Sequence, residues 1–231
     1  MIRARLACCA LSAITATGCA PKAQPQGDPF VHAFATIRPT VVLFTMKIPS
    51  DDKRHKNAVD DAYGSGVAVA SGSWGTQILT VEHVIHDASR LRATLDDRRT
   101  VPARVLSADE KADLALVQID VPNRPVAALG RSAGVEPGTQ VGLAGYPIPD
   151  AFEDEKLGTK ISVYAGRVSS QRVDALELDL PVIPGESGGP IFDARTGVVI
   201  ALAESRFDDE KAIGFGVPIE DAEKFLRGRL R

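Results

Sequence analysis

Short apolar runs, mostly four to eight residues long and rich in β-branched side chains, alternate with turn-forming text along most of the chain. The runs are Val41 to Met46, Gly66 to Ala70, Gln77 to Thr80, Leu91 to Leu95, Val101 to Leu106, Leu114 to Ile119, Gln140 to Ala144, Ile161 to Val168, Ala175 to Leu180, Val198 to Ala203 and Ile213 to Val217. Pro190 opens one more, because a proline costs no ladder bond at the first residue of a strand. Asp96-Asp97, Pro149-Asp150 and Asp193-Ala194-Arg195-Thr196-Gly197 supply turns between them. Many short strands at near-regular spacing predict a sandwich or barrel architecture. Helix is scarce. Val84 to Ala88 allows a turn or two. Pro218 to Leu230 opens with proline, carries Glu220 and Asp221 in its first turn and ends among Arg227, Arg229 and Arg231, a polarity that suits the helix dipole. Ala222, Phe225, Leu226 and Leu230 form its apolar stripe, expected to pack on the outside of the later strands. The charged stretches Pro49 to Asp61 and Pro147 to Gly158 read as solvated loops.

The N-terminus has a different texture. A basic start, Met1 to Arg5, precedes an uncharged apolar or small run from Leu6 to Thr17, then Gly18-Cys19 and a polar, Pro-rich stretch. This is the layout of a secretory signal peptide, and its apolar run is too short to span a membrane stably. Small residues leading into one cysteine resemble the bacterial lipoprotein processing site, with Ala16 standing where leucine is usual. Residues 1–18 are therefore expected to be a lipoprotein signal peptide, Cys19 the lipidated residue and 19–30 a tether. The globular domain spans 31–231. The implied location is the cell envelope, anchored on the periplasmic face of the outer membrane; ordinary cleavage near Ala20 would instead leave a soluble periplasmic or secreted protein. Cys8, Cys9 and Cys19 are the chain's cysteines, so the exported domain relies on its core alone. The net charge of −3 and the absence of a basic cluster argue against a nucleic-acid partner.

The chemistry concentrates in three blocks: Leu79-Thr80-Val81-Glu82-His83-Val84, Lys111-Ala112-Asp113-Leu114-Ala115-Leu116 and Gly185-Glu186-Ser187-Gly188-Gly189-Pro190. A serine hydroxyl is a weak nucleophile at neutral pH. It needs a base within hydrogen-bond reach and a group that fixes the tautomer of that base. Ser187, His83 and Asp113 fit those roles. Gly185 lets its N–H stand beside that of Ser187, so that the two can hold a developing oxyanion. Gly188 and Gly189 permit a tight turn. The Gly185-x-Ser187-x-Gly189 spacing also matches the nucleophile elbow of α/β-hydrolases, whose histidine follows the serine. Here His32, His55, His83 and His86 all precede Ser187, which excludes that fold. Glu82-His83-Val84-Ile85-His86 matches neither zinc-peptidase pattern, so no metal and no cofactor is expected.

The order His, Asp, Ser and the text from about Gly64 to Ile219 resemble the HtrA/Deg-type branch of trypsin-like serine peptidases. Gly64-Ser65-Gly66-Val67 is similar to that family's opening strand, Ala112 to Asp120 to its acid segment, and Ile213-Gly214-Phe215-Gly216-Val217-Pro218 to the strand leading into its final helix. Gly145-Tyr146-Pro147 and Gly166-Arg167-Val168-Ser169 also fit. The resemblance implies two six-stranded antiparallel β-barrels at right angles with a C-terminal helix, the first barrel ending near 130 and the second beginning near 135. It implies a serine endopeptidase acting on polypeptides through His83, Asp113 and Ser187, with Gly185 and Ser187 as the oxyanion hole. Pro181, Val182 and Ile183 would form one wall of the substrate pocket and Ala203, Glu204 and on to Arg206 the other. No acid lies in Pro181 to Pro184, so the pocket favours a small or medium aliphatic side chain over Lys or Arg, with Glu204 as the contrary feature. Three departures stand out: Glu82 beside the base, Glu186 before the nucleophile, and no counterpart of the family's PDZ module. The first two keep open an alternative, a catalytically impaired barrel serving as a lipid-tethered binding module. The oligomeric state is left open.

Overall fold

A computed structural model describes residues 27–50, 58–204 and 213–231. The expected signal peptide, Cys19 and Arg206 lie outside these residues. Two closed antiparallel barrels account for the strands. The first runs in the order β1 (Val41–Pro49), β2 (Val59–Gly72), β3 (Gly75–Thr80), β6 (Leu114–Ile119), β5 (Thr100–Asp109), β4 (Ser89–Thr94), and β4 closes back on β1. The second runs β10 (Pro190–Asp193), β11 (Val199–Glu204), β12 (Gly214–Pro218), β9 (Leu176–Leu178), β8 (Ser162–Gln171), β7 (Gln140–Gly145), and β7 closes on β10. This is the trypsin-like double-barrel architecture. Closure removes the sheet edges that would otherwise invite pairing with other chains.

Burial explains why some strands do not alternate apolar with exposed polar positions. β3, β6 and β11 are buried at every position, because one face lines a barrel and the other is covered from outside. Phe44, Ile78, Leu79, Leu114 and Leu116 are fully buried on the strands of the first barrel. One continuous core cluster joins these residues to Phe192, Val199 and Leu202 of the second barrel. A smaller cluster of Val141, Leu143, Leu176, Leu178, Ile191 and Ala201 fills the second barrel's interior. Two buried polar side chains of the first barrel are paired with backbone carbonyls: Gln118 donates to Trp74 O at 3.1 Å, and Thr76 to Val121 O at 2.6 Å.

Several elements differ from expectation. A helix, α1 (Pro29–Ile37), begins inside the stretch read as tether. Asp28 caps it by accepting from Phe30 N at 2.9 Å, with Pro29 in the first turn. Its Phe30 stacks on Phe192, ring centroids 6.0 Å apart. The charged stretch from Pro49 to Asp61 is not all loop. Val59 to Asp61 extend β2 against Lys47 to Pro49, and Lys47 pairs with Asp61 at 2.8 Å across the strands. Within Pro147 to Gly158 a short helix, α3 (Pro149–Asp154), forms behind Ile148, which holds a left-handed φ of 32°. The C-terminal helix α4 (Ile219–Leu226) is shorter than expected, and Leu230 is exposed. It does not sit on the second barrel alone. Ile219, Ala222, Phe225 and Leu226 enter the shared core, and beyond the helix Arg229 Nε donates to Ser107 Oγ of β5 at 3.1 Å. The covering of β3 and β6 requires this: two strands buried on both faces need a partner outside the first barrel. Between Ala127, whose N–H goes to Ala68 O, and Gly130, whose N–H goes to Val199 O, the connector passes from one barrel to the other. Glu220 holds it by accepting from Ser132 N and Ala133 N at 3.0 and 2.8 Å.

Candidate active site

His83 lies in the single-turn helix α2 (Glu82–Ile85), directly after β3. Asp113 ends the tight turn that leads into β6, with Ala112 N held by Asp109 Oδ1 at 3.1 Å. Its φ of 49° is left-handed, a conformation aspartate tolerates better than most residues. Since β3 and β6 are paired neighbours, the two side chains meet across adjacent strand ends. Asp113 Oδ1 accepts from the backbone N–H of His83 at 2.9 Å, and Oδ2 contacts His83 Nδ1 at 2.8 Å. A carboxylate only accepts, so Nδ1 carries the hydrogen and the neutral ring presents its lone pair at Nε2. Burial alone would lower the His83 pKa. The bond and charge of Asp113 outweigh it, with Glu204 and Glu82 adding to them, and the imidazole is raised above its ordinary value. Burial likewise disfavours the Asp113 carboxylate, but the His83 ring and the His83 and Glu82 backbone N–H groups hold it below its ordinary range.

Ser187 is supplied by the loop before β10 in the second barrel. It shares a cleft of about 610 Å³ with His83, Gly185, Pro184, Tyr63 and His86. Among the described residues no hydrogen bond joins the Ser187 hydroxyl to His83. The backbone beside it is held in place. Pro184 O accepts from Ile148 N at 2.7 Å, and Glu186 O accepts from Gly189 N at 2.8 Å. Among the described residues no peptide bond is cis, so the N–H groups of Gly185 and Ser187 point opposite to those carbonyls. Gly185 has φ 95°, and a Cβ there would meet Tyr146 O at 2.3 Å. At Gly188, φ 82°, a Cβ would meet Thr80 Oγ1 at 2.1 Å and Ser65 O at 2.3 Å. The tight turn after Ser187 is thus pressed against the first barrel, which leaves no room for a side chain.

The Glu82 carboxylate contacts His86 Nδ1 at 2.9 Å, raising the His86 pKa. Among the described residues no group of three or more His, Cys, Asp or Glu side chains is placed to hold a metal. Glu186 is fully buried. Its Oε2 accepts from Ile183 N at 2.9 Å, while Oε1 has no hydrogen-bond partner. Burial pushes its pKa up to about 7 against the opposing pull of the Ile183 N–H. The expected pocket residues divide. Pro184, rather than Pro181, Val182 or Ile183, lines the cleft with Ser187. Ala203 is buried, with its backbone bonded to Gly188 N and Gly189 O at 2.8 Å each. Val182 packs on the second barrel's core, and Glu204 lines a separate hollow of about 440 Å³ behind Asp113. Ser65, Tyr146 and Ile148 brace the Ser187 loop. Ser65 and Tyr146 stand in segments that resemble the family's, but no local pattern marks any of the three as a site residue, because their bonds join chain segments distant in sequence.

Fold and site together define a trypsin-like peptidase domain, and the family profile of that description matches residues 64–202. The chain belongs to this family, within its HtrA/DegP branch. It is 30% identical over 193 residues to HhoB of Synechocystis sp., named as a serine protease, covering 79% of this chain and 44% of that one. To a DegP-like periplasmic serine endoprotease of Hahella chejuensis it is 31% identical over 169 residues, covering 69% and 34%. The chain therefore spans less than half the length of these relatives. A solved HtrA-type protease, AlgW with a tripeptide, superposes with a TM-score of 0.71 at 24% identity, covering 87% of this chain and 64% of that one, and shares the fold.

Proposed function

We propose that this chain is a serine endopeptidase that hydrolyses polypeptides through Ser187, His83 and Asp113. The observation that carries the reading is the two-point contact of Asp113 with His83 in the cleft that also holds Ser187 and Gly185. His83 Nε2 takes the hydroxyl proton as Ser187 attacks the carbonyl carbon. The tetrahedral oxyanion is received by the Gly185 and Ser187 N–H groups. His83 then returns the proton to the leaving amine, giving an acyl-enzyme and the first product. Water, deprotonated by the same imidazole, releases the acyl group. Asp113 keeps its charge throughout and stabilises the imidazolium. A fluorophosphonate probe is expected to label the wild-type protein and not Ser187→Ala; equal labelling of both would end this reading.

A second reading has its own support. The orphaned Oε1 of Glu186 and the missing hydrogen bond between Ser187 and His83 favour a trypsin-like barrel with impaired chemistry that binds polypeptides. A wild-type protein inert to the probe, yet retaining an unfolded polypeptide, would establish it.

Relatives named as periplasmic support a place in the cell envelope. No helix among the described residues is long and apolar enough to cross a membrane. We propose attachment through a lipid on Cys19, with residues 1–18 removed. Wild type is then expected in the detergent phase on partitioning and Cys19→Ser in the aqueous phase. Equal release of both into water would show that no lipid is attached.

A further inference from the structure

Ser65 belongs to β2 of the first barrel and is completely buried. It lies 120 residues from Gly185 in the chain, yet its hydroxyl donates to Gly185 O at 2.7 Å. The same hydroxyl accepts from Tyr146 N at 3.0 Å. Its backbone N–H donates to Ser187 O at 2.8 Å. Its carbonyl accepts from Thr80 Oγ1, three residues before His83, at 2.7 Å. One buried residue thus ties the end of the strand that leads to His83 to both ends of the segment Gly185 to Ser187.

The direction of the Gly185 N–H depends on the two peptide planes that flank its Cα. The Pro184 carbonyl anchors one through Ile148. The Gly185 carbonyl anchors the other, and Ser65 Oγ is its donor. Glycine has the widest choice of backbone angles, so loss of either anchor frees this plane more than it would at another residue. Among the described residues the Gly185 carbonyl has no second donor. Ser65 is not placed to touch substrate: it is buried beneath the loop, in contact with Gly188 and Gly189.

We infer that Ser65 is a positioning residue that sets the oxyanion-hole geometry of Gly185 and Ser187 from the opposite barrel. The inference rests on the peptidase reading above. Transition-state stabilisation by preorganised donors is lost steeply with small displacements, and misplacement of about 1 Å costs on the order of a hundredfold in rate. Ser65→Ala removes the grip on the Gly185 carbonyl and leaves Tyr146 N–H without its acceptor. Ser65→Cys keeps the shape and a weak donor.

The test compares second-order labelling by a fluorophosphonate, whose phosphonyl oxygen occupies the oxyanion hole, with KM for unfolded casein. Ser65→Ala is expected to label about tenfold to a hundredfold more slowly, with KM changed by less than about twofold. Ser65→Cys is expected to recover part of the rate. Thr76→Val is the stability control, because it deletes another buried hydroxyl bond in the same barrel, to Val121 O. It is expected to lower the urea midpoint and leave the labelling rate unchanged. If Ser65→Ala does not fold, Ser65→Cys carries the test, with labelling slowed relative to wild type at an intact fold. Wild-type labelling matched by Ser65→Ala, or by Ser65→Cys where that variant stands in, would overturn the role of Ser65 alone. The same holds if Thr76→Val slows labelling as much. A wild type as inert as Ser187→Ala would overturn the peptidase reading and this inference with it.

Discussion

Replacing Ser187, His83 or Asp113 by alanine is expected to lower turnover of an unfolded protein substrate by about four orders of magnitude or more each. The losses should not add. Once the nucleophile or its base is gone, the remaining rate comes from binding and from the Gly185 and Ser187 N–H groups, which the double variant Ser187→Ala/His83→Ala keeps. The double variant is therefore expected to be no slower than the slower single one. The pH profile follows from the same contacts. His83 acts as a base only when neutral, and Asp113 stabilises its charged form, raising its pKa above the ordinary 6.5. In the free enzyme kcat/KM should rise with pH through a midpoint above that value. Undiminished cleavage by Ser187→Ala would eliminate this nucleophile, and a midpoint below 6.5 would contradict the electrostatic role assigned to Asp113.

Glu186→Gln is expected to stabilise the fold increasingly as pH rises. The Glu186 carboxyl has a pKa of about 7 in the folded protein and an ordinary value of 4.5 when exposed. Between these values the folded state keeps a proton that the unfolded state has released. The contribution of Glu186 is therefore fully present below 4.5 and lost as pH rises through 7. Its size is on the order of 3 kcal/mol, at about 1.4 kcal/mol for each pH unit separating the two values. Glutamine has no such titration. The stability difference between Glu186→Gln and wild type should grow by roughly this amount from about pH 4 to about pH 8, read as urea midpoints at each pH. Comparing the two proteins at the same pH cancels the opposing effect of carboxylates such as Asp113 and Glu220, which are lowered in the fold. A difference that stays constant with pH would show that Glu186 gains a partner when ionised.

Much of the fold is legible in the chain because its signals are local. Strand runs such as Leu114 to Ile119 declare themselves by continuous apolarity, and Gly185 to Pro190 by an unusual density of turn residues around one serine. Where expectation and structure part, the missing information is non-local. Val59 to Asp61 look like solvated loop until Lys47 is seen across the ladder as their partner. The charge of Pro147 to Gly158 hides a helix that begins because Ile148 adopts a left-handed turn. Phe225 and Leu226 announce a buried helix face, but the barrel they cover follows from β3 and β6 having two buried faces each.

The sequence by itself determined the strand content, the order His83, Asp113, Ser187 and the glycines of the Ser187 loop. These depend on residue type at short spacing, through side-chain period, turn conformation and intrinsic chemistry. Only the tertiary structure decided that Ser65 grips Gly185, that Glu82 pairs with His86, and that Glu186 is buried with one oxygen unpaired. Each depends on which distant segment lies against the residue. Hydrogen bonding and desolvation act over a few ångströms in space, whatever the separation along the chain.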